Sequence, residues 1–254
     1  MDPNFNIGAY IMYEVQDRHQ WQLPFLPTIE LPPFLSLHGL MLIISALFLI
    51  VVFCFLYKKN QPVPTGLTNL LELFVLFIRD QIATPFLGKE YGRKLTPLFC
   101  TFFFFILTLN LIGLIPLFAT ATSNINVTGS LAIITFVFMV FGAIYKNGLG
   151  GFMKALIPSG VPAPILIILV PIEIFGLFIK AFALMIRLFA NMLAGHIVIL
   201  SLLGLVVILG LAALPAVLLA IFISLLEVLV VFLQTYIFTL LSAMFIGQLY
   251  HPEH

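Results

Sequence analysis

The sequence predicts an all-α integral membrane protein with one N-terminal span, an interfacial amphipathic helix, a helical hairpin, and two long, strongly tilted membrane helices. Three observations predict it. Hydrophobic residues make up 62% of the 254 and charged residues only 8%, where a soluble domain carries about 25% charged. Mean hydropathy is +1.21, and five apolar regions stand out in windows of about 19 residues. The last two of these regions are far longer than a bilayer is thick.

Residues 1–35 are polar and Pro-rich, and the expectation is an external tail preceding a membrane domain at 36–254. No basic start followed by a short apolar core marks a cleavable signal, so the tail is expected to be retained. A first span is predicted over 37–57, stopping at Lys58 and Lys59. Residues 65–87 differ. Leu70, Leu71, Phe74, Phe77 and Ile78 recur at helical spacing, but Glu72, Arg79 and Asp80 make the segment too polar for a free span. A helix lying in the interface suits it. Spans follow at 95–118, closing around Pro116, and at 127–145, joined by the polar loop 120–126 into a hairpin. Gly148–Gly151 reads as a turn without the Lys-Ser/Thr of a phosphate-binding loop.

Residues 164–203 would reach ~60 Å as one helix and residues 215–249 ~52 Å, at 1.5 Å per residue. The hydrocarbon core is only ~30 Å thick. Each could be two short spans with a turn between, yet no polar loop or charge cluster divides either stretch. The favoured reading is a pair of helices lying strongly tilted and joined near 204–214. Ordinary mismatch gives tilts of about 20°, so something specific must require the arrangement.

Basic residues set the orientation. Lys58, Lys59, Arg79, Lys89, Arg93, Lys94, Lys146 and Lys154 alternate to one side, only Arg18 falls on the other, and Lys180 and Arg187 lie within the membrane. This division places the N-terminus outside and the C-terminus on the cytoplasmic side. A net charge of +1 argues against a nucleic-acid partner. Cys54 and Cys100 sit in apolar segments, so no disulfide framework is expected.

Chemistry concentrates on the two long helices. Glu173, Lys180 and Arg187 are seven apart, so successive members drift by only about 20° around the helix. Asn191 joins their stripe. Arg187 has no carboxylate within thirteen residues on either side, and its guanidinium stays protonated wherever the chain puts it. An intramembrane charge costs about 3 kcal/mol on insertion scales and marks a functional site by default. The bland alternative, that Glu173 and Lys180 pair and snorkel to the interface, stays open for those two. His196 points to the opposite side from Arg187, and its imidazole type titrates near neutrality. Glu227 and Gln234 are again seven apart, with Ser224 near Glu227. A hairpin of the two helices would bring His196 and Glu227 to similar depth, as a proton relay or as a static ion pair. Asn110 and Asn124 read as structural hydrogen bonders. Only His196 of the five histidines is expected to be deep, so no haem, copper or other metal site and no cofactor is expected.

Several stretches resemble a known family. RLFANMLAGHIVI, the upstream PIEIFGLFIKAFALMIRL, the downstream LEVLVVFLQTYIFTLLSAMFIGQLYHPEH, and TLNLIGLIPLF followed by SNINVTGSLAI are similar to subunit a of the F-type ATP synthase, over about residues 35–254. The resemblance implies a stator proton-channel subunit without a catalytic site of its own. Its implied partners are a rotating c-subunit ring, a b-subunit peripheral stalk, the other ATP synthase subunits and the lipid bilayer. Two offset half-channels would deliver protons to and from a c-ring carboxylate, with Arg187 between them. By the same resemblance Gln234 and Asn191 accompany the arginine, Glu173 belongs to the cytoplasmic half-channel, and His196 and Glu227 form the titratable pair of the outer one. Lys180, Asn110 and Ser224 are supporting residues. Many bacterial members carry an acid at the position of His196 and a histidine at that of Glu227; the exchange here favours a working pair. Asn124 replaces an Asp found in some members, which puts a proton role for that loop in doubt.

The resemblance also implies a multi-pass protein of a bacterial cell inner membrane, or alternatively a mitochondrial one. A stand-alone transporter or ion channel is the competing reading, but the chain lacks the internal repeat a transporter should show. A structural anchor of a redox complex would need haem or quinone ligands that the histidines do not supply.

Overall fold

The computed structural model describes residues 8, 11–12, 16–21, 28–33, 35–56, 66–115, 118–157, 162–210 and 214–250. Lys58, Lys59, Pro116 and the HPEH ending lie outside the described residues. The described residues are almost wholly helical, with five helices among them long and apolar enough to cross a membrane. It divides into two compact units, each assembled from separated stretches of sequence.

One unit comprises residues 1–50, 105–128 and 187–235. It holds a two-residue antiparallel pair that no pattern in the polar tail predicted: β1 (Gln20–Trp21) on β2 (Ile29–Glu30). Helix α1 (Leu37–Val51) follows, continued by a wider π-helical turn over Val52–Leu56, close to the span expected at 37–57. The free N–H groups of a helix's first turn need acceptors. Here Leu37 N–H donates to Arg18 O at 2.8 Å, Leu40 N–H to Ser36 O at 2.9 Å, His38 N–H to Asp17 Oδ1 at 3.3 Å and Gly39 N–H to Ser36 Oγ at 3.2 Å. The tail therefore caps the first span. Leu37, Met41, Leu109 and Ala121 form a buried cluster with Trp21 and Phe118 packed against it, those two rings 5.8 Å apart.

The second unit comprises residues 51–104, 129–186 and 236–254. Here α2 (Leu67–Phe77) runs through a π-helical stretch, Ile78–Ala83, into α3 (Thr84–Gly113). The expected boundary between an amphipathic segment ending at 87 and a new span is present as one residue. Gly88 has φ 74 and ψ 171, a conformation that glycine adopts without steric cost. The helix after the break begins before residue 95 and ends at Gly113, ahead of the expected limits. The stripe also differs from expectation: Leu71 and Ile78, seven apart and so on nearly one face, are buried, but Leu70 and Phe77 are exposed. Arg79 pairs with Asp80 through two hydrogen bonds of 2.7 and 2.9 Å on the exposed side.

Helix α4 (Ile125–Leu156) corrects two expectations. It starts earlier than 127, and the turn expected at Gly148–Gly151 is confined to Gly148, with φ 70 and ψ 171, after which the helix resumes. Within the second unit the hydroxyls of Thr135 and Ser242 lie 3.2 Å apart and buried. Lys146 Nζ donates to Tyr250 O at 2.6 Å and Asn147 Nδ2 to Leu249 O at 2.9 Å. Carbonyls at a helix end lack intrahelical partners, and a cation there opposes the helix dipole. The Tyr250 hydroxyl occupies the space that a side chain on Gly142 would fill.

The last two helices are α5 (Ala163–Leu209, 47 residues) and α6 (Leu214–Tyr250, 37 residues). Both are continuous, so the alternative of short spans divided by turns is not what the chain adopts. They overrun the expected limits 164–203 and 215–249, and the connection shrinks to Gly210, with φ 56, and residues outside those described. Only 6% of the most apolar window of α5 and 17% of that of α6 is buried within the chain. Helices so bare need lipid or a partner along their length.

Candidate functional site

Five of the six residues expected to carry proton movement, all but Glu173, sit on α5 and α6 within the first unit, with Arg187 and Asn191 exposed on α5. No carboxylate lies within ion-pair distance of Arg187 among the described residues. Its charge is displayed on the bare apolar face, with Leu184 and Leu188 beside it buried. One turn on, Asn191 Nδ2 donates to Gln234 Oε1 at 2.7 Å. Gln234 is 3% exposed, so this bond joins α5 to α6 from a buried acceptor. The Nε2 of Gln234 has no hydrogen-bond acceptor among the described residues. In a low-dielectric setting such an unmet donor is costly, and it favours a polar neighbour.

Past Asn191 the helices enclose a cavity of about 520 Å³, lined by His196, Ser224 and Glu227 among aliphatic side chains. His196 Nδ1 lies 3.4 Å from the Thr120 hydroxyl, which also donates to Gly113 O at 3.1 Å. Glu227 is buried, and neither carboxyl oxygen has a hydrogen-bond partner among the described residues. Among the described residues no hydrogen bond joins His196 to the Glu227 carboxyl. His196, Ser224 and Glu227 are the polar side chains of one cavity that is otherwise aliphatic, and its volume is large enough to admit water. Ser224 donates to Ala220 O at 2.9 Å, so its hydroxyl proton is held by its own helix.

Gly195 explains how Glu227 fits. A Cβ on Gly195 would run into the Glu227 carboxyl. The smallest residue stands directly before His196, and the acid fills the gap it leaves. A glycine adjoining a lone intramembrane histidine was the available sequence signal for this contact; Thr120, the partner of His196, gave none.

The remaining expected residues fall elsewhere. Asn110 is fully buried and accepts from Thr122 at 2.6 Å. In the second unit Lys180 Nζ donates to Gln248 Oε1 at 2.9 Å and lies 5.7 Å from the Phe245 ring centre. The pairing of Lys180 with Glu173 does not form, since seven residues along a helix separate them by about 10 Å. Glu173 is half-buried. His38, which the sequence placed outside the deep set, is 3% exposed and faces Asp17 at 3.2 Å.

The ATP synthase A chain family matches residues 39–247. That match spans the arginine, the cavity pair and the Asn191–Gln234 bridge. The chain belongs to this family. It is 47% identical over 260 residues to ATP synthase subunit a of Chloroherpeton thalassium, covering 96% of this chain and 77% of that one. It is 44% identical to the subunit a of Myxococcus xanthus, over 93% of this chain and 81% of the relative. Against that of Anaeromyxobacter dehalogenans the identity is 50%, over 83% of this chain and 56% of the relative. As a family member the chain is a multi-pass, membrane-sector proton-channel subunit of F-type ATP synthase, and it assembles with other subunits of that complex.

Proposed function

We propose that this chain is the stator half of a rotary proton path, with Arg187 as the gate between two half-channels. One observation carries the reading. Arg187 is an exposed cation on an apolar helix face without a carboxylate in reach among the described residues, while a cavity holding a histidine and a buried acid lies on the other side of the same helix. The missing carboxylate belongs to a partner, the mid-membrane acid of a c subunit, exchanged at each step of rotation. The long bare faces of α5 and α6 lie tilted along the c-ring, so the charge meets every passing subunit. His196 and Glu227 serve the outer half-channel and Glu173 the cytoplasmic one. Asn191 and Gln234 fix the arginine's surroundings, while Lys180, Asn110 and Ser224 support the helices.

An arginine suits the gate better than a lysine, because burial readily depresses a lysine's pKa while a guanidinium stays charged. A permanent cation repels a proton at the junction and so blocks leakage. The tail before α1 lies outside, the C-terminus lies in the cytoplasm, and the membrane is a bacterial inner membrane. The b subunits of the peripheral stalk hold the chain against the ring's torque. Replacing Arg187 by Ala tests the reading. ATP-driven proton pumping into membrane vesicles should disappear, while the detached catalytic sector still hydrolyses ATP. Pumping at the parent rate would overturn it.

A further inference from the structure

At the N-terminal end of α1 a buried imidazole faces a water-exposed acid. His38 is 3% and Asp17 33% exposed at the side chain, with 3.2 Å between His38 Nδ1 and Asp17 Oδ1. The Asn124 amide nitrogen lies 3.2 Å from the same Nδ1 and 3.3 Å from Asp17 Oδ2. One ring nitrogen thus faces a donor and an acceptor, and its protonation state selects between them. Bare, Nδ1 accepts from Asn124; protonated, it donates to Asp17. The charged groups facing His38 are Asp17 and Arg18, both from the tail; Asn124, from the loop, is neutral. That loop carries Asn124 at one end and Thr120, the partner of His196, at the other.

We infer that Asp17 and His38 form a proton-collecting site at the mouth of the path leading to His196 and Glu227. The inference rests on the reading of that pair as the outer half-channel. Asp17 takes a proton from hydronium in external water and releases water. The proton passes to His38 Nδ1, leaving Asp17 ionised again. It departs His38 through water along the loop toward Thr120 and His196, which returns the imidazole to its neutral form. The carboxylate of this mouth is supplied by the tail.

Asp17 also caps α1, so the experiment must separate capping from collecting. Passive proton conductance is measured in vesicles carrying the whole membrane complex, stripped of the catalytic sector and normalised to assembled complex, across external pH. Asp17→Asn and His38→Gln should each lower conductance several-fold, most at alkaline external pH where free protons are scarce. Adding Asn124→Asp to Asp17→Asn should restore it, because the acid returns beside His38. Unchanged conductance per complex at every pH, with less complex assembled, would overturn the proposal and leave Asp17 a cap. If Asp17→Asn alone does not assemble, His38→Gln and the Asp17→Asn/Asn124→Asp pair give the same two outcomes. Glu227→Gln is the control. Blocked conductance there, with Asp17→Asn and His38→Gln normal, overturns this inference alone; parental conductance there overturns the half-channel reading beneath it.

Discussion

Asn191 donates a 2.7 Å hydrogen bond to the buried Gln234, one turn beyond Arg187. The bond joins α5 to α6 one turn from the exposed charge. Asn191→Leu should leave the Gln234 amide with both ends unmet, a loss of about 1–3 kcal/mol for a buried polar group. Asn191→Leu/Gln234→Leu removes both partners and should recover much of that stability. The measurement is the midpoint of denaturation in mixed detergent. A double variant no more stable than the single one would show that the bond does not join the helices.

Gly195 and Glu227 make a second testable contact. A methyl group at 195 displaces the Glu227 carboxyl, so Gly195→Ala should reduce passive proton conductance several-fold without preventing assembly. Shortening the acid makes room: Gly195→Ala/Glu227→Asp should conduct better than Gly195→Ala alone. Equal conductance in Gly195→Ala and the parent would mean that the carboxyl's position is immaterial.

His196 and Glu227 line one cavity without a direct hydrogen bond to the carboxyl. If they act as a coupled unit through water, their order matters less than the presence of both. His196→Glu/Glu227→His should then pump more than either single change. A double variant matching the worse single one would separate the two residues.

The proposed tilt of α5 rests on its 47 residues and its bare face. Single cysteines placed along residues 173–195 should crosslink to an adjacent c-subunit helix at several successive turns. Contact limited to one turn would mean a steep crossing and would remove the tilted arrangement.

The residues and the structure divide the work unevenly. Composition and window hydropathy were enough for the helices, because a backbone in lipid must satisfy its own hydrogen bonds and helix is the economical way to do so. The same rule explains why α5 and α6 overran their expected ends. No polar residue stopped them, so the backbone stayed paired up to Gly210. That Arg187 has no acid near it in sequence was legible from spacing alone, since that is a property of the chain. Contacts between helix faces were not legible. Asn191 with Gln234, Gly195 with Glu227, Thr120 with His196, and Asp17 with His38 each depend on the rotation and depth of two elements. Packing between helices fixes those, and it is set by van der Waals fit rather than by hydropathy. The sequence by itself determined a membrane bundle with one charge in need of an outside partner. The tertiary structure decided that the histidine and the acid open onto a common cavity, and that the tail reaches back to cap the first helix.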